Sequence, residues 1–287
     1  MKKILNFIFI AFACASPILA QNISKAGEVY NRALELQQSG NTDAALIEYE
    51  RALALNPKMA NAYNNRANIR LSRNDFAGAL ADYNKVIELN PKHGLSYFNR
   101  GNIHLQQNNT DAAIADFSKA IEIFSGITTG DTYDRSAHAM SYNNRGNALQ
   151  TKGDYKAALA DYDKAFELAP KSFEVLLNRG VVKQELKDAK GAIADYTKAL
   201  EIFPSHPTAY LNRAIALEAV NKSAAFTDYN KTIELDPAQA QAFARRGLLL
   251  LEQGRKAEAA RDLEKAIQLD ASLQEYYGAF LKDARKR

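Results

Sequence analysis

The chain has no tryptophan, one cysteine and four histidines among 287 residues. A single thiol allows no internal disulfide. Cys14 lies in the apolar N-terminal stretch, so a mature chain lacking that stretch must be held together by packing alone. His93, His104, His138 and His206 do not recur at metal-ligand spacing, and neither an HExxH helix nor a Cys/His cluster is present, so no metal is expected. With no glycine-rich phosphate loop and no serine nucleophile elbow, the sequence points to a protein that is not an enzyme and carries no cofactor. Charge is also scarce in net terms. The formal +4 includes Lys2 and Lys3, and because residues 1–20 hold no acid, their loss lowers it to +2. Nothing in that balance calls for nucleic acid as a partner.

The first twenty residues differ from the rest. Lys2 and Lys3 precede an almost wholly apolar run over 4–13, and Ser16, Pro17, Ile18, Leu19 and Ala20 end it on a small residue. This three-part order predicts a secretory signal peptide over 1–20, cleaved after Ala20, and hence an exported protein, periplasmic in a Gram-negative cell. The competing reading is a lipid anchor on Cys14, which would tether the chain to a membrane. Ala11, Phe12 and Ala13 make a poor lipoprotein box ahead of it.

What is present is repetition. Asn31-Arg32, Asn65-Arg66, Asn99-Arg100, Asn144-Arg145, Asn178-Arg179 and Asn212-Arg213 are one dipeptide, with Arg245-Arg246 a degenerate seventh copy; the arginines stand 34, 34, 45, 34, 34 and 33 residues apart. Such a period predicts a helical solenoid, in which each unit buries its apolar face on its neighbours. Each unit reads as two helices with a polar break at Gly40, Asn74, Asn108, Gly153, Lys187, Asn221 or Gly254, closed in five units by Pro57, Pro91, Pro170, Pro204 or Pro237. Ala45, Tyr49 and Ala52 are spaced i, i+4, i+7, and so are Ala158, Tyr162 and Ala165; this puts a large ring between two small residues on one helical face, as expected of core.

The order small residue, turn, alanine, aromatic, alanine, proline resembles the tetratricopeptide repeat over residues 26–271. That resemblance implies an all-α fold, a right-handed α-solenoid of about seven tetratricopeptide helix pairs. Repeats 1 to 3 span 26–127, an insertion spans 128–138, repeats 4 to 7 span 139–271, and a capping helix spans 272–287. One departure is the arginine, which stands where the family most often has leucine. Sixteen residues after it each unit carries an acid, or fifteen in the shortened sixth unit. Arg66 with Asp82, Arg100 with Asp116, Arg145 with Asp161 and Arg179 with Asp195 are therefore expected to be structural ion pairs, and Arg32 with Glu48, Arg213 with Asp228 and Arg246 with Asp262 follow the same spacing.

In a tetratricopeptide array the first helices line the concave surface, which the resemblance assigns to the residue before each arginine: Asn31, Asn65, Asn99, Asn144, Asn178 and Asn212. One turn further along stand Asn68, Asn102 and Asn147. An amide both donates and accepts, so two such rows can hold the backbone of an extended peptide whatever its side chains. A similar ladder lines the tetratricopeptide domain of the O-linked N-acetylglucosamine transferase. The bland alternative is that asparagine is a tolerated polar residue copied by duplication. A carboxylate clamp is not expected: that mode needs Lys and Arg at set places around two asparagines in three consecutive units, and units two to four offer Asn64 and Asn68, then Asn99, then Met140 and Asn144, with no cation among them.

The eleven extra residues between repeats 3 and 4 predict a loop at 127–130 and then a helix, capped by Asp131 or Thr132, that runs into repeat 4 and lengthens it by about two turns. Leu273, Tyr276, Tyr277, Phe280 and Leu281 make the apolar stripe of the final helix. The sequence thus supports a scaffold for a protein or an extended peptide, bound in an asparagine-lined groove. The alternative is a membrane-tethered assembly factor that binds through its convex face or the 127–138 insertion. Oligomeric state is open.

Overall fold

A computed structural model describes residues 17–126 and 132–286. The proposed signal sequence up to residue 16, Cys14, the expected loop at 127–130 and the candidate cap Asp131 lie outside the described residues. Among those described, every regular element is helical: α1 (Pro17–Gln38), α2 (Thr42–Leu55), α3 (Ala60–Ser72), α4 (Phe76–Leu89), α5 (Gly94–Gln106), α6 (Thr110–Ser125), α7 (Thr132–Thr151), α8 (Tyr155–Leu168), α9 (Phe173–Glu185), α10 (Ala189–Ile202), α11 (Pro207–Leu217), α12 (Lys222–Leu235), α13 (Ala240–Glu252), α14 (Lys256–Leu269) and, after a single 3-10 turn, α15 (Gln274–Ala284). No helix among them is long and apolar enough to cross a membrane.

The chain divides into two compact units, one through Ile103 and one from His104. Within each, successive helices pack in chain order as antiparallel pairs. The turns inside the pairs show why the break residues are what they are. Gly40, Gly153 and Gly254 sit at φ of 81°, 79° and 75°, and Asn74, Asn108 and Lys187 take the same left-handed conformation at 60°, 59° and 66°. The residue that follows caps the next helix where it is Asp75, Asp154 or Asp188, each carboxylate accepting the N–H three residues on. Asn221 departs from the expected turn role. The sixth unit is one residue shorter, α11 ends early, and Asn221 is itself the N-cap of α12 at φ −154°.

Packing follows the small–large–small pattern. Tyr49, Tyr83, Tyr162, Tyr196 and Tyr229, with Phe117 and Leu263, are wholly buried, each between two small residues that are alanines except for Val86 after Tyr83 and Thr232 after Tyr229. The rings press so closely on the first helices that a Cβ added at Gly146 would lie 2.8 Å from Tyr162, and one at Gly180 would lie 2.5 Å from Tyr196. Two turns of α7 precede Ala139, the counterpart of Phe173 at the start of α9, and make it 20 residues long where α9 has 13. At the C-terminus α15 lies on α13 and α14 and buries Tyr277, Leu281 and Ala284, but it leaves Tyr276 66% and Phe280 38% exposed. The expected apolar stripe is therefore split, and only part of it serves as a lid.

Candidate functional site

From the second repeat on, the first helices are built around their arginines. Arg66 grips Asp82 through two nitrogens at 2.9 and 2.6 Å, Arg145 grips Asp161 at 2.7 and 2.7 Å, and Arg179 grips Asp195 at 2.8 and 2.6 Å. Arg213 and Arg246 hold Asp228 and Asp262 in the same fork. These carboxylates are buried, and planar two-point pairing is the geometry that makes a buried charge tolerable. The hydrogen bond to Asp161 raises the pKa of Arg145 above the ordinary arginine value, so the guanidinium is charged at any pH the fold survives. Arg100 belongs to the first unit and Asp116 to the second. Arg32 departs from the pattern: it is exposed on α1, and Glu48 is taken instead by Arg51 from its own helix at 2.7 Å. Glutamate is one methylene longer than aspartate and can curl back along its helix to a cation one turn on.

The guanidinium has further partners that spacing alone does not reveal. Its remaining nitrogen reaches back to the second helix of the preceding repeat: Arg100 to Asn84 at 2.6 Å, Arg145 to the Ser118 hydroxyl at 2.9 Å, Arg179 to Asp163 at 3.1 Å, Arg213 to Thr197 at 3.2 Å and Arg246 to Asn230 at 2.7 Å. Arg66, Arg100, Arg145, Arg213 and Arg246 also lie over the aromatic ring three residues before them. Arg179 has Leu176 there and lies instead over Phe166, 4.0 Å from its centre. A second cation one turn on supports the same acid in two units, Arg70 on Asp82 at 2.9 Å and Lys183 on Asp195 at 2.7 Å. The arginine row is thus a brace within and between repeats.

The asparagines form a network of their own. The buried Tyr162 hydroxyl donates its single hydrogen to Asn147 Oδ1 at 2.6 Å, with Gln150 Oε1 also within reach at 3.0 Å, and burial pushes the Tyr162 pKa far up, so it remains a donor. Asn178 of the next repeat donates to that same Asn147 oxygen at 3.1 Å and to Asn143 at 3.2 Å, while Asn143 donates to Asn144 at 3.0 Å. The first unit repeats the device. Asn68 accepts from Tyr83 at 2.6 Å and from Asn99 at 3.4 Å, and Asn64 donates to Asn65, which donates to the Tyr30 hydroxyl at 3.1 Å. Asn102 is also partnered. The amide rows are therefore not two free rows: much of their capacity ties neighbouring repeats together. Asn31 is exposed at the start, and Asn212 stands outside these chains of bonds. In the seventh unit Arg245 replaces the asparagine and binds Glu218 at 3.0 Å, and Glu218 also accepts from Tyr229.

Four of these amides, Asn143, Asn144, Asn147 and Asn178, line a cleft of about 460 Å³ between α7 and α9. The same two helices add apolar lining, Ala139 and Met140 from α7 and Val175 and Leu177 from α9, and Ser136 on the extra turns of α7 also lines it. Asn147 Oδ1 is fully spent by its two donors, whereas Asn147 Nδ2 and Asn178 Oδ1 enter none of the network's bonds. Together they offer one donor and one acceptor, the complement of a peptide group. Among the described residues no His, Cys, Asp and Glu cluster could hold a metal ion.

Profiles of the tetratricopeptide repeat match residues 30–92, 65–126, 139–172, 173–206 and 240–273, passing over the shortened sixth unit. No curated protein sequence matches the chain. Among solved structures, YrrB, described as a TPR protein with an unusual peptide-binding site, is 24% identical with a TM-score of 0.58, over 68% of this chain and 95% of its own. The C-terminal part of a TPR repeat-containing protein from Cytophaga hutchinsonii is 18% identical with a TM-score of 0.68, over 90% of this chain and 100% of its own. Pseudomonas aeruginosa pilF is 16% identical with a TM-score of 0.62, over 77% and 96%. At these identities the likeness is one of fold. The profiles cover most of the chain, the helix pairs carry the small–aromatic–small packing that they describe, and the chain belongs to the tetratricopeptide repeat family, whose arrays are scaffolds for binding proteins or peptides.

Proposed function

We propose that the chain captures an extended peptide segment of a partner protein along its first helices, and that the asparagines read the peptide backbone. The observation that carries this is the pair of unspent amide atoms, Asn147 Nδ2 and Asn178 Oδ1, at the edge of a cleft already shaped by two neighbouring repeats. Every peptide offers a carbonyl and an N–H, so such a pair binds main chain without selecting side chains. Each bond contributes about 0.5 to 1.5 kcal/mol net, which is why a row of them is needed. The peptide-binding site of YrrB belongs to that protein, and it adds support only as a precedent for peptide capture on this fold.

The test is binding of a randomised, fluorescently labelled heptapeptide library to the purified chain and to an Asn147→Ala/Asn178→Ala variant, in which Tyr162 keeps Gln150 as its partner. Binding is expected to fall roughly tenfold, the loss of one or two net hydrogen bonds, while helicity by circular dichroism is kept. Equal binding by both proteins would remove the amides from the proposal. Export is part of the same reading, since the 1–20 pattern is that of a cleaved leader; a mature N-terminus at Gln21 by intact mass supports it, whereas a diacylglycerol adduct on Cys14 supports the tethered assembly factor instead.

A further inference from the structure

The cleft between α7 and α9 is not uniform along its length, and the unevenness carries information about its ligand. Ser136, Met140, Asn143 and Asn147 fall on one strip of α7, spaced four, three and four residues apart, with Glu174, Leu177 and Asn178 facing from α9. One half is apolar, and there Met140 is 50% exposed although it has a cleft of its own to line. The other half is amide. From Met140 to Asn147 the strip runs roughly 10 Å at 1.5 Å per residue, which is about three residues of an extended chain. A peptide lying along it would meet the apolar half with one side chain and the amide half with the backbone two or three residues away.

Charge adds a second condition. Of the described residues that line the cleft only Glu174 is charged. Its carboxylate is exposed on the first turn of α9, and its one hydrogen bond is a 3.5 Å contact from the neutral Ser172 hydroxyl. No cation of the described cleft answers it.

We infer that this cleft, and with it the extension of α7, is a side-chain-selective subsite: it takes a peptide bearing one aliphatic or thioether side chain in the Met140–Leu177 half, with a lysine or arginine beside it against Glu174. The inference rests on the peptide-binding reading above and sharpens it, because the amides alone would accept any sequence. Burial of one aliphatic side chain gives a preference on the order of tenfold or more over alanine at that position. An exposed ion pair adds roughly two- to fivefold and fades with salt.

The experiment is selection from a heptapeptide library at low and moderate salt, using the wild type, Glu174→Lys, Met140→Glu and the Asn147→Ala/Asn178→Ala variant. Glu174 and Met140 are exposed, so their replacements should leave melting temperature and circular dichroism unchanged. Wild type is expected to enrich an apolar residue flanked by Lys or Arg. Glu174→Lys should lose the basic preference or turn it to Asp and Glu with the apolar residue kept, and Met140→Glu should lose the apolar residue. If the two variants select the same sequences as wild type, or wild type enriches no apolar-basic pair, the subsite is overturned. Amide-dependent binding without side-chain preference sinks this inference alone. Binding that does not depend on the amides sinks the backbone reading and leaves the subsite to stand or fall by the two exposed variants.

Discussion

Replacing Arg179 by methionine tests the brace where it is most elaborate. The side chain is 9% exposed and Asp195 is 2% exposed, so solvent screens the pair little. The substitution keeps most of the aliphatic stem but removes the fork on Asp195, the 3.1 Å bond to Asp163 in the preceding repeat and the contact with Phe166. Stripping one partner from a buried pair costs about 3 to 5 kcal/mol, chiefly because the other charge is left in a poorly solvating place. Lys183 remains on Asp195 at 2.7 Å, which argues for the lower end, about 3 kcal/mol. Arg179→Lys keeps charge but not the fork, and should fall between wild type and Arg179→Met.

A global unfolding curve would blur this, because a repeat array is close to one-dimensional and need not unfold in one step. Amide hydrogen exchange read peptide by peptide is the better assay. A loss of about 3 kcal/mol lowers protection roughly a hundredfold. The loss should centre on α9 and α10, spread to α8 through the broken Asp163 bond, and leave α13 and α14 near their wild-type values. The exposed pair Lys164 with Glu167 supplies the control, since Lys164→Ala should leave exchange unaltered. If Arg179→Met changes protection in α9 and α10 by less than threefold, the arginines are not braces, and the 16-residue spacing needs another explanation.

Two further outcomes follow from the same contacts. Gly180→Ala brings a methyl to 2.5 Å from a fully buried Tyr196 ring and should destabilise by about 1 to 3 kcal/mol, whereas Gly27→Ala, with no atom of a neighbour within 4 Å, should stabilise by about 0.5 to 1 kcal/mol; paired urea titrations check both, and equal effects would contradict the packing. Burial lowers the pKa of His93 and of His138 below the ordinary value of 6.5, so the unfolded chain binds protons more readily than the folded one. The stability they contribute is complete above the unfolded value and is lost as pH falls from about 6.5 through the lower folded values. The urea midpoint should therefore drop between pH 7.5 and 5.5, and drop less in a His93→Gln/His138→Gln variant.

The parts of this fold legible from residues alone are those whose chemistry repeats without change. Alanine, tyrosine and alanine on one helical face, the prolines and the left-handed break residues repeat nearly unaltered, and one spacing linked Arg145 to Asp161 in the same way as Arg179 to Asp195. The partner in the preceding repeat was invisible because its identity drifts. Asn84, Ser118, Asp163, Thr197 and Asn230 share a place and the ability to accept a hydrogen bond, but no single residue type. A signal for the asparagine network did exist: a buried tyrosine needs a partner for its hydroxyl, and Asn68 and Asn147 each stand fifteen residues before one. Asn221 was misplaced because one deleted residue moved it from turn to cap.

The structural use of the asparagines narrows their functional use. An oxygen that already accepts from a tyrosine and from the next repeat cannot also receive a ligand N–H without breaking one of those bonds, and Asn147 Oδ1 is in that position. Asn147 Nδ2 and Asn178 Oδ1 belong to adjacent repeats, so a peptide that accepts from one and donates to the other adds a bridge between α7 and α9 parallel to the one already there. Binding at these atoms should stiffen the junction, and saturating peptide should slow amide exchange in α7 and α9 together. A ligand that instead displaced the Asn178 bond to Asn147 would loosen the junction and speed exchange there. The direction of that change distinguishes a groove that uses the spare valences of its scaffold from one that must dismantle part of the scaffold to bind.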